Sequence, residues 1–180
     1  VFQEHAILPW RSVSKNIGHG LELKGMPVQE RETRVTDFIK LVGLQGFEDK
    51  YPHELSGGMK QRCAVARTLC ADPVVMLMDE PFAAVDAQTR ITLQEELNRI
   101  AIATKKTIIF ITHAVDEAAF LGDRCFVFSA RPGRLKAIVD INIARDKRIW
   151  SDMNVDKEFL SSRDEILRLV REEVNIAIEE

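Results

Sequence analysis

Three short stretches of this sequence combine residue types that handle phosphate and water, and the first of them is "LSGGMKQR", Leu55 to Arg62. Bare backbone N–H groups at the start of a helix, a nearby serine hydroxyl and the positive end of the helix dipole together form a cradle for an anion. We therefore predict that Ser56, Gly57 and Gly58 hold a phosphate group. Taken alone, the same three residues are also typical of an ordinary N-cap serine followed by a flexible joint.

The second stretch is "VVMLMDEP", in which Asp79 and Glu80 end a continuous apolar run. Such a run is typical of a strand that is buried on both faces of a parallel sheet, and ligand sites lie at the carboxyl ends of these strands. In a nucleotide site we expect Asp79 to hold Mg²⁺ directly or through water. Glu80 is then expected to orient and deprotonate the attacking water. A plain strand-to-loop transition is the alternative interpretation.

The third stretch is the apolar run "TIIFIT", which His113 follows directly. Residues 86–105 have helical periodicity, so the order strand, helix, strand predicts a parallel crossover unit. His113 is then expected at the same sheet edge as the acidic pair, where its imidazole can contact a γ-phosphate. A lone histidine is otherwise more often a structural loop residue.

The surrounding pattern predicts the elements that position these residues. Short helices are expected within residues 12–50, and a longer helix is expected over 58–71. The longer helix should end there because the residue before Pro73 disfavours the helical backbone conformation. A short helix at 114–123, a strand at 125–129 and its hairpin partner at 135–141 follow the second strand.

The last part of the chain reads as a charged linker at 146–154 and a C-terminal helix. The apolar face of that helix carries Phe159, Ile166, Val170, Val174 and Ala177. We expect residues 1–145 to form one domain, with a helical part at 6–68 and the core strands at 69–145, and residues 146–180 to form a helical extension.

The composition excludes several classes of protein. The net charge of −3 and the pI near 5.9 provide no general field for nucleic acid, so we expect no nucleic-acid partner. The apolar runs are far shorter than the roughly 20 residues that span a bilayer. The three cysteines, Cys63, Cys70 and Cys125, are an odd number without paired spacing, so we expect them to be reduced and mostly buried.

Together these stretches resemble the nucleotide-binding domain of ATP-binding cassette (ABC) proteins, over residues 1 to about 140. "LSGGMKQR" is similar to the signature sequence of that family, and "VVMLMDEP" to its magnesium and general-base strand. "AAVD", which ends in Asp86, is similar to the loop that contacts the partner subunit, and "ITHA" to the switch histidine. Gln3 in "VFQ" matches the glutamine that senses Mg²⁺ and the attacking water.

The resemblance implies an α/β fold with a parallel-sheet, RecA-like P-loop NTPase core and an α-helical subdomain. It implies ATP hydrolysis with ATP and Mg²⁺ as cofactors, Glu80 and His113 in catalysis, and Asp79 and Gln3 near the metal. Two such domains sandwich two ATP molecules head to tail, so a homodimer is expected. The signature of one copy then closes over the γ-phosphate that the other copy binds, and Asp86 faces the partner.

One feature of the family is missing. No segment of this chain matches the phosphate-binding loop G-x-x-x-x-G-K-[ST], and the aromatic platform for adenine is also absent. We therefore expect an incomplete core that has been shortened at its N-terminus. We also expect the 180 residues alone neither to bind MgATP in the P-loop manner nor to hydrolyse it.

Other strings, such as "EHAILPWRSV" and "SARPGR", resemble the ATPases of importers for nitrate, sulfonates and taurine. That resemblance implies a transmembrane permease as partner, a periplasmic or extracellular solute-binding protein as an indirect partner, and a peripheral position on the cytoplasmic face of the membrane. Ile7, Leu8 and Trp10 are expected either to receive the permease or to pack within the helical subdomain.

Two other functions compete with the importer. A soluble, non-transport ABC ATPase acting on nucleic acid or ribosomes would show a second cassette or a basic insertion, and neither occurs in this sequence. A regulatory cassette without catalysis would be expected to lose Glu80 or His113, and both are present.

Overall fold

The computed structural model describes residues 1, 6–83 and 85–179, with side chains described as far as residue 173. These residues form two compact units, Val1–Ile111 and Thr112–Glu180. Within the described residues, no helix combines the length and the apolar character needed to cross a membrane.

The first unit begins with a group of helices and continues into a strand–helix–strand segment. Helix α4 is buried on several sides, with Cys63, Ala66 and Leu69 all at most 2% exposed, as expected for a central helix. The helix predicted over 58–71 is thus confirmed to within a residue. The elements of this unit are α1 (Val13–Ile17), α2 (His19–Leu23), α3 (Val28–Leu41), a 3₁₀ helix (Pro52–Glu54), α4 (Gly57–Cys70), β1 (Val75–Asp79), α5 (Ala87–Thr104) and β2 (Thr107–Ile111).

The predicted parallel crossover is confirmed. Strands β1 and β2 pair in parallel, with Val75 opposite Thr107 and Asp79 opposite Ile111, and α5 connects them. The helix predicted from the periodicity of residues 86–105 buries one apolar stripe, which consists of Leu93, Leu97, Ile100 and Ala101. The crossover brings the carboxyl ends of both strands to one edge of the sheet.

The prediction that β1 is buried on both faces is wrong for this chain. Met78 is 1% exposed, but Leu77 is 61% exposed, and Ile109 on β2 is 51% exposed. Side chains alternate between the two faces of a strand, so one face of the pair is packed and the other lies open. A single crossover helix covers only one face of the strands that it connects, and the described residues place no second layer on the other.

The second unit contains α6 (Val115–Leu121), β3 (Arg124–Phe128), β4 (Leu135–Asp140), a 3₁₀ helix (Arg145–Lys147), α7 (Trp150–Met153) and α8 (Lys157–Glu179). Strands β3 and β4 pair antiparallel, so the predicted hairpin is confirmed. The segment read as a charged linker is folded, because Trp150 stacks on Phe120 at 4.4 Å between ring centroids and meets the edge of Phe159 at 6.0 Å.

Helix α8 covers this hairpin with the apolar face that the sequence predicts. Phe159 and Ile166 are buried and Val170 is half-buried, whereas the side chains of Val174 and Ala177 lie outside the described residues. Lys136 of β4 also holds the helix on the hairpin. Its Nζ donates a hydrogen bond to the carbonyl of residue 169 and forms ion pairs with the carboxylates of residues 172 and 173.

The cysteines match their prediction. All three are free, Cys63 and Cys70 are fully buried, and Cys125 is half-buried. Burial raises the pKa of Cys63 to about 12 and that of Cys70 to about 11, and it raises the pKa of Cys125 as well. Because the thiolate is the reactive form, these thiols are poor nucleophiles near neutral pH.

Candidate functional site

The first candidate element is the N-terminal tip of α4. Ser56 has extended backbone geometry and its Oγ accepts a hydrogen bond from the backbone N–H of Met59 at 3.3 Å, so it is a true N-cap. Ser56 and Gly57 are both exposed. The tip of this 14-residue helix therefore presents backbone N–H groups and a hydroxyl to its surroundings, at the positive end of the helix dipole.

The two glycines at this tip have different surroundings. A Cβ built on Gly57 would meet no atom within 4 Å. A Cβ built on Gly58 would lie 3.0 Å from Cγ2 of Thr89 and 4.0 Å from Cδ1 of Leu93. Gly57 therefore leaves open space above the helix, while Gly58 allows α5 to approach closely.

The acidic pair lies where the sequence predicts, at the carboxyl end of β1. Glu80 continues the sheet, because its backbone N–H donates to the carbonyl of Ile111 at 2.9 Å. The backbone of Glu80 then turns into the left-handed region with φ of 41°, which is unfavourable for a residue with a side chain. Such strained positions cluster at functional sites. Asp79 is exposed and Glu80 is half-buried, so both carboxyl groups lie within reach of a ligand at this edge.

Asp86 is the N-cap of α5. Its Oδ1 accepts a hydrogen bond from the backbone N–H of Thr89 at 3.0 Å. This backbone bond, and next to it a hydrogen bond with the Thr89 hydroxyl, hold the pKa of Asp86 below its usual range. The structure thus gives this residue a capping role in addition to the partner-facing role that the resemblance implies.

His113 belongs to the second unit and follows Ile111, the strand partner of Asp79, by two residues. It is exposed and lies in a turn that Thr112 organises. The Thr112 hydroxyl donates to Oε2 of Glu117 at 2.7 Å and accepts from the backbone N–H of residue 114 at 2.9 Å. Gln3 lies outside the described residues.

Sequence reasoning missed the contact surface between α4 and α5. Thr89 touches Gly58, and Nη1 of Arg62 lies 3.5 Å from Oε1 of Glu96. Burial raises the pKa of Glu96 despite this arginine. The spacing from Asp86 to Thr89 was a usable signal, because an N-cap side chain bonds the third helical residue. Nothing in the sequence indicates which helix that threonine touches.

The residues present fit a phosphate group with a magnesium ion. The open tip at Ser56 and Gly57 offers neutral N–H and O–H donors, which suit phosphate oxygens. Among the described residues no group of three His, Cys, Asp or Glu could hold a metal. Mg²⁺ does not require such a cage, because it is usually bound by one or two carboxylates together with water and substrate phosphates, and Asp79 offers an exposed carboxylate.

Comparison with known proteins gives a consistent result. The family model described as "ABC transporter" matches residues 1–83. An ABC transporter ATP-binding protein of Methanocaldococcus jannaschii is 55% identical over 174 residues, which cover 97% of this chain and 63% of that protein. The taurine import ATP-binding protein TauB of Rhizobium johnstonii is 43% identical, over 92% of this chain and 64% of TauB.

The aliphatic sulfonates import ATP-binding protein SsuB of Bacillus cereus is 44% identical, over 89% of this chain and 63% of SsuB. Among solved structures, this chain is similar to a dimeric ATP-binding cassette in a post-hydrolysis state, bound to ADP and Pi. The TM-score is 0.63 and the sequence identity is 27%, and the match covers 79% of this chain and 63% of that chain. This chain thus spans less than two thirds of the length of these relatives. Its fold is that of the ATP-binding cassette, and the chain belongs to the family of ABC transporter ATP-binding proteins.

Proposed function

We propose that this chain is part of the ATP-hydrolysing subunit of an ABC importer for a small anion such as nitrate, a sulfonate or taurine. The observation that carries the proposal is the exposed tip of α4, where Ser56 caps the helix and Gly57 faces open space. The similarity to the taurine and sulfonate import proteins supports the importer class.

In this proposal four residues divide the chemistry. Asp79 holds Mg²⁺, directly or through water, and Gln3 senses it. Glu80 accepts the proton of the attacking water. His113 contacts the γ-phosphate, and its place two residues after the strand partner of Asp79 supports this role. Asp79 would hold the Mg²⁺, and the ion would supply positive charge that offsets the negative charge developing during phosphoryl transfer.

The proposed subunit works as a head-to-tail homodimer, in which Ser56, Gly57 and Gly58 of one copy contact the γ-phosphate that the other copy binds. The dimeric cassette among the solved structures, which is bound to ADP and Pi, supports the formation of a dimer. Asp86 then faces the partner copy across the dimer.

A membrane permease is the second proposed partner, and a solute-binding protein acts through it. Trp10 is 71% exposed, so the alternative of packing within the helical subdomain is not seen for this residue. Buried Asn16 fixes the turn that presents it, because its side chain accepts from the backbone N–H of Leu8 at 2.8 Å and donates to the carbonyl of Arg11 at 2.9 Å. This turn is the proposed contact with the permease.

The function is tested on two proteins. The first is the 180-residue chain. The second is a completed subunit, in which an N-terminal segment that contains a G-x-x-x-x-G-K-[ST] loop, taken from another ABC transporter ATP-binding protein, is joined to this chain before Val1. We expect the completed subunit to hydrolyse MgATP at roughly 1–10³ per second at saturation, the usual range for enzymes. The 180-residue chain should neither hydrolyse MgATP nor bind it with micromolar affinity, because it has no G-x-x-x-x-G-K-[ST] loop.

Calorimetric titration measures the binding of MgATP, and a phosphate-release assay measures its hydrolysis. Micromolar binding by the 180-residue chain would contradict the division of the site between this chain and a further segment. A completed subunit that folds but leaves ATP intact would contradict the proposed function.

A further inference from the structure

Helices α4 and α5 meet at their N-terminal ends through Gly58 and Thr89. The position of a Cβ on residue 58 lies 3.0 Å from Cγ2 of Thr89, closer than the usual separation of about 3.5–4.0 Å between carbon atoms. Gly58 is buried in this contact, while Gly57 beside it is exposed. The tip of α4 therefore rests directly on the first turn of α5.

The same threonine holds the loop that precedes α5. Its backbone N–H donates to Oδ1 of Asp86 at 3.0 Å, and the interaction of its hydroxyl with the same carboxylate helps to lower the pKa of Asp86. The methyl group of Thr89 thus faces Gly58, and its polar atoms face Asp86. One side chain contacts both elements that the proposed function places at the dimer interface.

We propose that Thr89 is a positioning residue, which sets the spacing between the phosphate-binding tip of α4 and the loop that ends at Asp86. This inference rests on the proposed function. It also separates the roles of the two glycines: Gly57 lacks a side chain so that a phosphate can approach, and Gly58 lacks one so that Thr89 can approach.

A β-carbon on residue 58 must push the Thr89 side chain away by a few tenths of an ångström or shift one of the two helices. The cap at Asp86 fixes the first turn of α5, and the Arg62–Glu96 contact holds α5 against α4 further along both helices, so we expect the displacement to fall on the exposed tip of α4. Reaction rates are sensitive to errors of this size in the placement of groups around a substrate. Removal of the Thr89 methyl group makes room for the added carbon and should reverse the effect.

The test is a double-mutant cycle in the completed subunit. Gly58→Ala is made alone and together with Thr89→Ser, which removes Cγ2 but keeps the hydroxyl on Asp86. Thr92→Ser is the matched control, because Thr92 is an exposed threonine one turn further along α5. The measurements are kcat and KM for MgATP well below the unfolding temperature, and Tm of the 180-residue chain.

We expect Gly58→Ala to lower kcat about tenfold with little change in KM, since the proposed function gives nucleotide capture to another segment. We also expect it to lower Tm by about 2–4 °C. Adding Thr89→Ser should bring kcat back to within about twofold of the Thr89→Ser single variant, because the two substitutions share one contact. Thr92→Ser should change neither the wild-type kcat nor that of Gly58→Ala.

Thr89→Val provides a second route that does not depend on the folding of Gly58→Ala. It keeps the methyl group on Gly58 and removes the hydroxyl bond to Asp86, so kcat should fall by about three- to tenfold. An unchanged kcat in this variant would overturn the inference. Recovery of Tm without recovery of kcat in the double variant would overturn it too, because the contact would then be structural only. If the wild-type completed subunit does not hydrolyse ATP, the proposed function fails first and this inference fails with it.

Discussion

Replacement of Glu80 by glutamine should lower kcat of the completed subunit by about 10²–10⁴, the scale of a positioned acid–base group. Glutamine keeps the size of the side chain and can still orient water, but it cannot accept a proton. Glu80 is held at the end of β1 by its backbone bond to Ile111, in a strained left-handed conformation. The substitution should therefore remove the proposed base without moving the backbone, and ATP-dependent dimerisation should persist.

The measurement is the steady-state rate of phosphate release, with light scattering to follow dimer formation. Glu30→Gln is the matched control, because Glu30 is an exposed glutamate on α3, away from the strand ends, and its replacement should leave kcat unchanged. A Glu80→Gln variant with the full ATPase rate would show that another group accepts the proton.

Gly57→Asp should have the second large effect, with opposite signs for stability and activity. The open space around Gly57 accommodates the new side chain, and a carboxylate in the first turn interacts favourably with the helix dipole by about 0.3–1 kcal/mol. The free energy of unfolding of the 180-residue chain should therefore stay constant or rise slightly. The same carboxylate repels a γ-phosphate by about 1–4 kcal/mol at 4 Å, so kcat/KM of the completed subunit should fall by a factor of about 5 to 10³.

Gly133→Asp is the control for this experiment. Gly133 lies between β3 and β4, and a Cβ there would also meet no atom within 4 Å, so the two variants add the same charge at equally open positions. Only the change at residue 57 should lower activity. Equal activity of the two variants would show that the helix tip is not part of the phosphate-binding site.

The sequence predicted the elements that carry a strong local signal. Glycine and serine before a basic helix identified the tip of α4, and two apolar runs separated by a helical pattern identified the parallel pair with Asp79 at its end. These features depend on residues close in the chain, where periodicity and capping chemistry determine the backbone.

Features that depend on tertiary packing could not be predicted. An apolar run indicates that Leu77 suits a buried strand, but its 61% exposure depends on which layers pack on the sheet. This chain spans only 63% of its Methanocaldococcus jannaschii relative. The contact of Thr89 with Gly58 was equally invisible, because the two residues are far apart in sequence and their types alone indicate no pairing.

In the proposed dimer, the tip at Ser56 acts on the nucleotide of the other copy. The direct test is photolabelling of a mixed dimer with ATP that carries a photoreactive group on its γ-phosphate. One copy is size-tagged and has the lysine of its added phosphate-binding loop changed to alanine, so that it cannot hold its own nucleotide, and the other copy is intact. We expect label around Ser56 of the tagged copy, and only when the intact copy is present. Label around Ser56 that is confined to the copy holding the nucleotide would contradict it.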